Sequence, residues 1–216
     1  MITNSLQASD FRVSPALSSI ASENKEARLK IIHNEDYTPL AYAIGFGNFH
    51  NSSVIVGGVS QDDSISSKVL IRLAGELSHA LSKSESLLSI NIKNLFSAKG
   101  VWIIPDFGSC DKPSTSMNLI SEKLSPKRLL EIHSGKQEIR YLSPKNSASN
   151  SKLFAYLLSS SSGIETIREA PPENSLCRWF SDEFLKASFS VGIDSEAGDA
   201  ALFMSMLEAF LIFIAA

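Results

Sequence analysis

Short, continuous apolar runs separated by stretches of helical length constrain this chain more than any other feature. SVIVGG at 53–58, VWIIP at 101–105 and LLEIHS at 129–134 are too short for buried helices and are bounded by turn-forming residues. Strands of this kind are covered on both faces, so helices must pack on both sides of a largely parallel sheet. At 216 residues the chain is long enough for one such domain with a sizeable core.

The rest of the chain fits that frame. Residues 1–27 are polar and weakly periodic, with Pro15 interrupting, and read as a loosely packed N-terminal arm with some helix. A single domain then spans 28–216. LKII at 29–32, the turn-like HNEDYTP and LAYAIG at 40–45 predict a hairpin ahead of the central strand. After Gly58, apolar residues at Val69, Leu70, Leu73, Leu77 and Leu81 share one helical face, and Asp63 or Ser64 is placed to cap that helix. Further on, a helix is expected over 115–124, then LLEIHS, the short strand EIRYL at 138–142 and a helix around 152–160. Helix SLCRWFSDEF at 175–184, strand SFSVGI at 188–193 and a terminal helix from about 199 complete the chain. The predicted architecture is a three-layer α/β/α sandwich on a mostly parallel, mixed sheet without internal repeats.

Composition narrows the partners. The net charge of −3, with no cluster of five or more Lys/Arg, argues against nucleic acid or an anionic membrane. The apolar stretch 200–216 contains Glu208 and is short for a span, so it reads as a buried terminal helix. The N-terminus shows no basic region followed by an apolar one, and the expected location is the cytoplasm. Cys110 and Cys177 form no CxxC pair and read as two free thiols, with a single disulfide left open.

Few motifs carry chemistry. No nucleophile elbow, phosphate loop or HExxH helix is present, and GFGNFH at 45–50 lacks the third glycine and following helix of a dinucleotide site. What remains is His133, at the end of an apolar strand. In open α/β folds that carboxyl edge is where ligands bind. On the strand alone, the ordinary reading is a histidine hydrogen-bonded to its surroundings. Arg128, Arg140 and Arg178 are available to pair with an anion, but no spacing selects one, and Trp102, Trp179 and Phe180 fall in packing patterns.

The order of LAYAIG, SVIVGGVSQDD before a long helix, INIKNLFSAKGVWIIP, LLEIHSGKQEIRYL and RWFSDEFLKASFSVGI before a terminal helix resembles the zinc carboxypeptidases, especially their bacterial branch that trims cell-wall peptides. The resemblance runs from about Arg28 onward. It implies a His-x-x-Glu after the central strand, a third zinc ligand at the His-Ser strand end, and a position left open for water. It also implies a glutamate base in the strand before the terminal helix.

At these positions the sequence departs from the family. Ser60 stands where the first histidine belongs and Asp63 where the glutamate belongs, while His133 is unchanged. A neutral hydroxyl is a poor zinc ligand. Gly192 stands at the position of the base, which glycine cannot supply. Asp194 and Glu196 are near in sequence, but Asp194 is displaced by roughly 7 Å along a strand. Between VWIIP and LLEIHS, the segment 105–128 lacks the family's Asn-Pro-Asp-Gly turn and Asn-Arg pair, and Asn118 is followed by Leu119.

The resulting expectation is a catalytically inactive carboxypeptidase relative, without a bound cofactor and with Asp63 and His133 as residual, empty metal positions. Its partners would be a peptide, a cell-wall fragment, another protein or a second copy of itself. The alternative is an active metallohydrolase whose rebuilt zinc site uses Asp63, His133 and a third ligand such as His50, Cys110 or Asp106.

Overall fold

The structure is a computed structural model that describes residues 10–34, 37, 39–58, 63–107, 113–136, 138–142, 155–156, 159–160, 164–165, 171, 175–184, 186–193 and 199–216. In chain order the elements are α1 (Asp10–Glu23), β1 (Arg28–His33), β2 (Pro39–Gly47), β3 (Ser52–Val56), α2 (Ser64–Lys83) and a small hairpin, β4 (Ser86–Leu87) and β5 (Ile90–Asn91). They continue with α3 (Ile92–Ala98), β6 (Gly100–Ile104), α4 (Pro113–Leu124), β7 (Leu129–Ser134), β8 (Ile139–Leu142), α5 (Leu176–Phe184), β9 (Ser188–Ile193) and α6 (Asp199–Ala215).

The main sheet has seven strands in the order β1-β2-β6-β3-β7-β9-β8. Strands β6, β3, β7 and β9 run parallel in its centre, and β2, β1 and β8 are added by antiparallel pairing. This is the mixed, mostly parallel α/β sheet that the apolar runs predict. The carboxyl ends of the four central strands share one edge, the edge that carries Gly57, Phe107, His133 and Ile193.

Alternation along each strand sends side chains into two cores. One face holds Ile44, Phe46, Ile55, Ile103, Leu130, Ile132, Phe189 and Val191, packed against α1, α2, α3 and α6. The other holds Ala41, Ala43, Val54, Val56, Trp102, Ile104 and Leu129, covered by α4 and α5 through Met117, Ile120, Cys177 and Phe180. Each large apolar side chain buried in this way contributes about 1.5–3 kcal/mol. The apolar C-terminal stretch belongs to the first core: Phe203, Phe210, Phe213 and Ile214 are buried and Glu208 faces solvent. No helix among the described residues is long and apolar enough to cross a membrane.

The described part of the expected N-terminal arm is helix α1, which lies on α2 and places Leu17 fully inside the first core. Pro15, the sixth residue of α1, removes one intrahelical donor without ending the helix. Helix α4 begins at Pro113, two residues before its expected start. Most of the helix expected around 152–160 lies outside the described residues. Helix α3, which the apolar pattern did not signal, is started by Asn91, whose side chain accepts from Asn94 N at 2.9 Å.

Two glycines differ sharply in what they permit. Gly47 has φ +82°, and a Cβ there would lie 2.3 Å from the Lys99 carbonyl oxygen, whereas a Cβ on Gly75 in α2 would meet nothing within 4 Å. Gly47→Ala is therefore expected to lower stability by about 1–3 kcal/mol. Gly75→Ala should raise it by about 0.5–1 kcal/mol through helix propensity. Urea unfolding midpoints of the two variants check both signs.

Candidate functional site

The end of β3 and the start of α2 meet closely. Gly58 has φ +63°, and a Cβ there would approach Asp106 Cα to 2.8 Å. Gly58 N donates to Ser66 Oγ at 2.8 Å, pinning the first turn of α2 to the strand end. Asp63 is the N-cap of this helix: Oδ1 accepts from Ser66 N at 3.1 Å. Its other oxygen, Oδ2, accepts from Ser134 N at 3.1 Å, at the end of β7. One carboxylate, only 3% exposed, thus ties the start of α2 to the end of the neighbouring strand.

His133 is half-buried beside it. Its Nε2 lies 3.0 Å from Ser190 Oγ on β9, and its Nδ1 lies 3.4 Å from the Ser134 carbonyl oxygen. Strands β7 and β9 run in parallel register, pairing Leu129 with Ser188, Glu131 with Ser190 and His133 with Gly192. Glu131, His133, Ser188, Ser190 and Gly192 therefore share one sheet face, the face under α5.

Glu131 completes the polar stripe. It is 4% exposed, and its Oε2 accepts from Cys177 N at 3.0 Å in the first turn of α5. An anion suits that position, because the first amides of a helix lack intrahelical acceptors. Ser188 Oγ donates to the Cys177 carbonyl oxygen at 2.7 Å, so two strands grip the same helical residue. Burial pushes the Glu131 carboxyl above its ordinary value of 4.5, while the Cys177 and Leu176 amides and His133 pull against that shift. Burial also pushes the Cys177 thiol well up, which makes it a packing group and a poor nucleophile. The motif reading passed over Glu131 and Ser190. The available signals were a carboxylate at an inward position of an apolar strand and the small polar alternation Ser188, Ser190, Gly192.

Gly192, adjacent to His133 across the strand pair, has no room for a side chain. The turn after β7 folds back over β9, held by Gly135 N donating to the Ile193 carbonyl and Gly192 N donating to the Glu138 carbonyl, both at 2.9 Å. A Cβ on Gly192 would lie 2.0 Å from the Lys136 carbonyl oxygen and 3.2 Å from His133 Cε1. Both glycines are required by this strap, since Gly135 has φ +152°.

Asp63 and His133 are thus brought to one edge, as the sequence mapping implies. Asp106, at the end of β6, lies at the same edge beside Gly58. His50 does not: it is exposed ahead of β3, roughly 15 Å or more from the carboxyl edge along the strand, and cannot serve as a third ligand. Ser60, Cys110, Asp194 and Glu196 lie outside the described residues. Arg140 is paired with Glu138, Arg178 pairs with Asp182 at 3.5 Å one helical turn away, and Arg128 packs over the Phe213 ring. Zinc needs three protein ligands with free lone pairs. No group of three His, Cys, Asp or Glu side chains that could hold a metal is assembled among the described residues. Each Asp63 oxygen accepts one backbone amide, and His133 Nε2 meets the Ser190 hydroxyl.

The site yields two predictions. Asp63→Ala removes the cap and leaves the Ser66 and Ser134 amides without their acceptor, and is expected to cost about 1–3 kcal/mol, with Asp63→Asn costing less. Chemical denaturation of both variants measures this. Because the folded pKa of Glu131 is raised, its contribution to stability is full below the ordinary carboxylate range and is lost as pH rises through the folded value. The stability of the native chain relative to Glu131→Gln should therefore fall as pH is raised above about 4.5, and a rise over that window would contradict the assignment.

No protein family and no curated protein matches the sequence itself. Solved structures do match its fold. A metallo-carboxypeptidase from Burkholderia cenocepacia aligns with a TM-score of 0.66 at 11% identity, over 94% of this chain and 68% of that one. Bovine thrombin-activatable fibrinolysis inhibitor, in complex with tick carboxypeptidase inhibitor, aligns at 0.67 and 10% identity, over 94% of this chain and 95% of that one. A metallo-carboxypeptidase from Pseudomonas aeruginosa in complex with (2-guanidinoethylmercapto)succinic acid aligns at 0.68 and 10% identity, over 93% and 68%. These likenesses overturn the expectation of a chain without a cofactor, because solved proteins that share its fold are metallo-carboxypeptidases. The architecture, the strand order and these neighbours together establish that the chain has a zinc carboxypeptidase-like fold.

Proposed function

We propose that this protein uses the carboxypeptidase-like fold to bind a peptide, a cell-wall fragment or a protein partner at the edge around His133, without hydrolysing it. One observation carries the reading. The position adjacent to His133, where the fold's hydrolytic members would place their base, is Gly192, and the Lys136 carbonyl fills the space its side chain would need. Metal-assisted hydrolysis requires a group that takes a proton from the attacking water and passes it to the leaving amine. Neither glycine nor a backbone carbonyl does so. Ser190, whose hydroxyl meets His133, is 1% exposed and out of reach of a substrate carbonyl, which argues against a serine nucleophile in its place.

The reading is tested with zinc-supplemented protein and unblocked peptides, including cell-wall stem peptides. Calorimetry is expected to detect binding of at least one of these peptides, while chromatography detects no released C-terminal residue. Gly192→Glu is expected to lose stability and gain no activity, because its side chain starts inside the Lys136 carbonyl. Peptide turnover by the native chain that disappears in His133→Ala would overturn the proposal.

A further inference from the structure

Among the described residues, the β1 edge of the sheet is open. Strand β1 pairs only with β2, so among the described residues its outward backbone groups face no other strand. Its two faces differ. Leu29 and Ile31 point to one side and are 39% and 41% exposed, an apolar pair at strand spacing. Arg28 and Lys30 point to the other, where Arg28 lies 4.8 Å from the centre of the Phe49 ring and Lys30 5.8 Å from the Trp102 ring. Lys30 Nζ also donates to the Lys123 carbonyl. None of these contacts neutralises either cation with a carboxylate, and residues 28–33, RLKIIH, contain no acid.

That arrangement selects against one occupant and for another. A second copy pairing through β1 with the apolar faces together would gather both copies' Arg28 and Lys30 on the opposite face. Like charges at these cross-strand distances destabilise pairing, and cations on an edge strand are a common guard against it. A guest strand with carboxylates at alternate positions reverses the sign: its acids meet Arg28 and Lys30 while its apolar residues cover Leu29 and Ile31. We propose that β1 accepts an extended peptide of alternating acidic and apolar residues as an eighth strand, by main-chain pairing with charge-selected side chains. The surface is separate from the His133 edge, since β2, β6 and β3 lie between β1 and β7. It does not depend on the function proposed for that edge.

Fluorescence anisotropy with labelled Thr-Val-Glu-Val-Glu-Val-Thr tests the proposal. The native chain is expected to bind this peptide at least about tenfold more tightly than Thr-Val-Lys-Val-Lys-Val-Thr, and the double variant Arg28→Glu/Lys30→Glu should invert that preference. Inversion also shows that the variant is folded. Methylation of alternate peptide amides should abolish binding, since strand addition needs those donors. Binding that survives methylation, a preference unchanged by the charge reversal, or no binding to the native chain would each overturn the proposal.

Discussion

Strand β7 is enclosed on both faces, and every polar group it carries inward must find its partner within the protein. Leu130 and Ile132 enter one core and Leu129 the other, which leaves Glu131 and His133 as two polar side chains on a face otherwise committed to packing. Their satisfaction organises the surroundings. Glu131 holds the first turn of α5, Ser190 meets His133, and Ser188 holds the same helical residue from the neighbouring strand. Asp63 meanwhile joins α2 to the end of β7. The groups that give this edge the look of a reactive centre are also the groups that fasten two helices to the sheet.

That double use bears on the function proposed for the edge. A metal ligand or a base needs a lone pair free for metal or proton and space for the substrate. Here each Asp63 oxygen accepts one backbone amide, and the turn after β7 is strapped across β9 beside His133. The strap makes glycine obligatory at 192, because the Lys136 carbonyl takes the volume of a side chain. The fold is that of solved metallo-carboxypeptidases, and the space a side chain at Gly192 would need is taken by the Lys136 carbonyl.

Much of this was legible in the residues. Apolar runs bounded by turn formers located β3, β6 and β7, because a strand buried on both faces leaves a continuous pattern that solvent-facing strands do not. The cap at Asp63 was legible because Asp before a periodic apolar face is a local signal. Helix α3 was not, since its start depends on the Asn91 side chain and only Ile92 and Phe96 are buried. The packing of α1 was hidden for a similar reason: a weakly periodic helix is held by the tertiary burial of Leu17, not by its own pattern. At the site, single letters identified Gly192 and His133, but nothing in the sequence locates the Lys136 carbonyl over Gly192. That contact arises from a turn whose path depends on the β7, β8 and β9 pairing.

The central claim is that the turn after β7 is fixed over β9 and leaves no space beside His133. Amide hydrogen exchange followed by NMR addresses it directly, since the strap consists of the Gly192 and Gly135 amides bonded to Glu138 and Ile193. The account predicts that both amides exchange slowly, with protection comparable to that of the central strands β3 and β7. Exchange of the Gly192 and Gly135 amides at the rate of an open loop would contradict it.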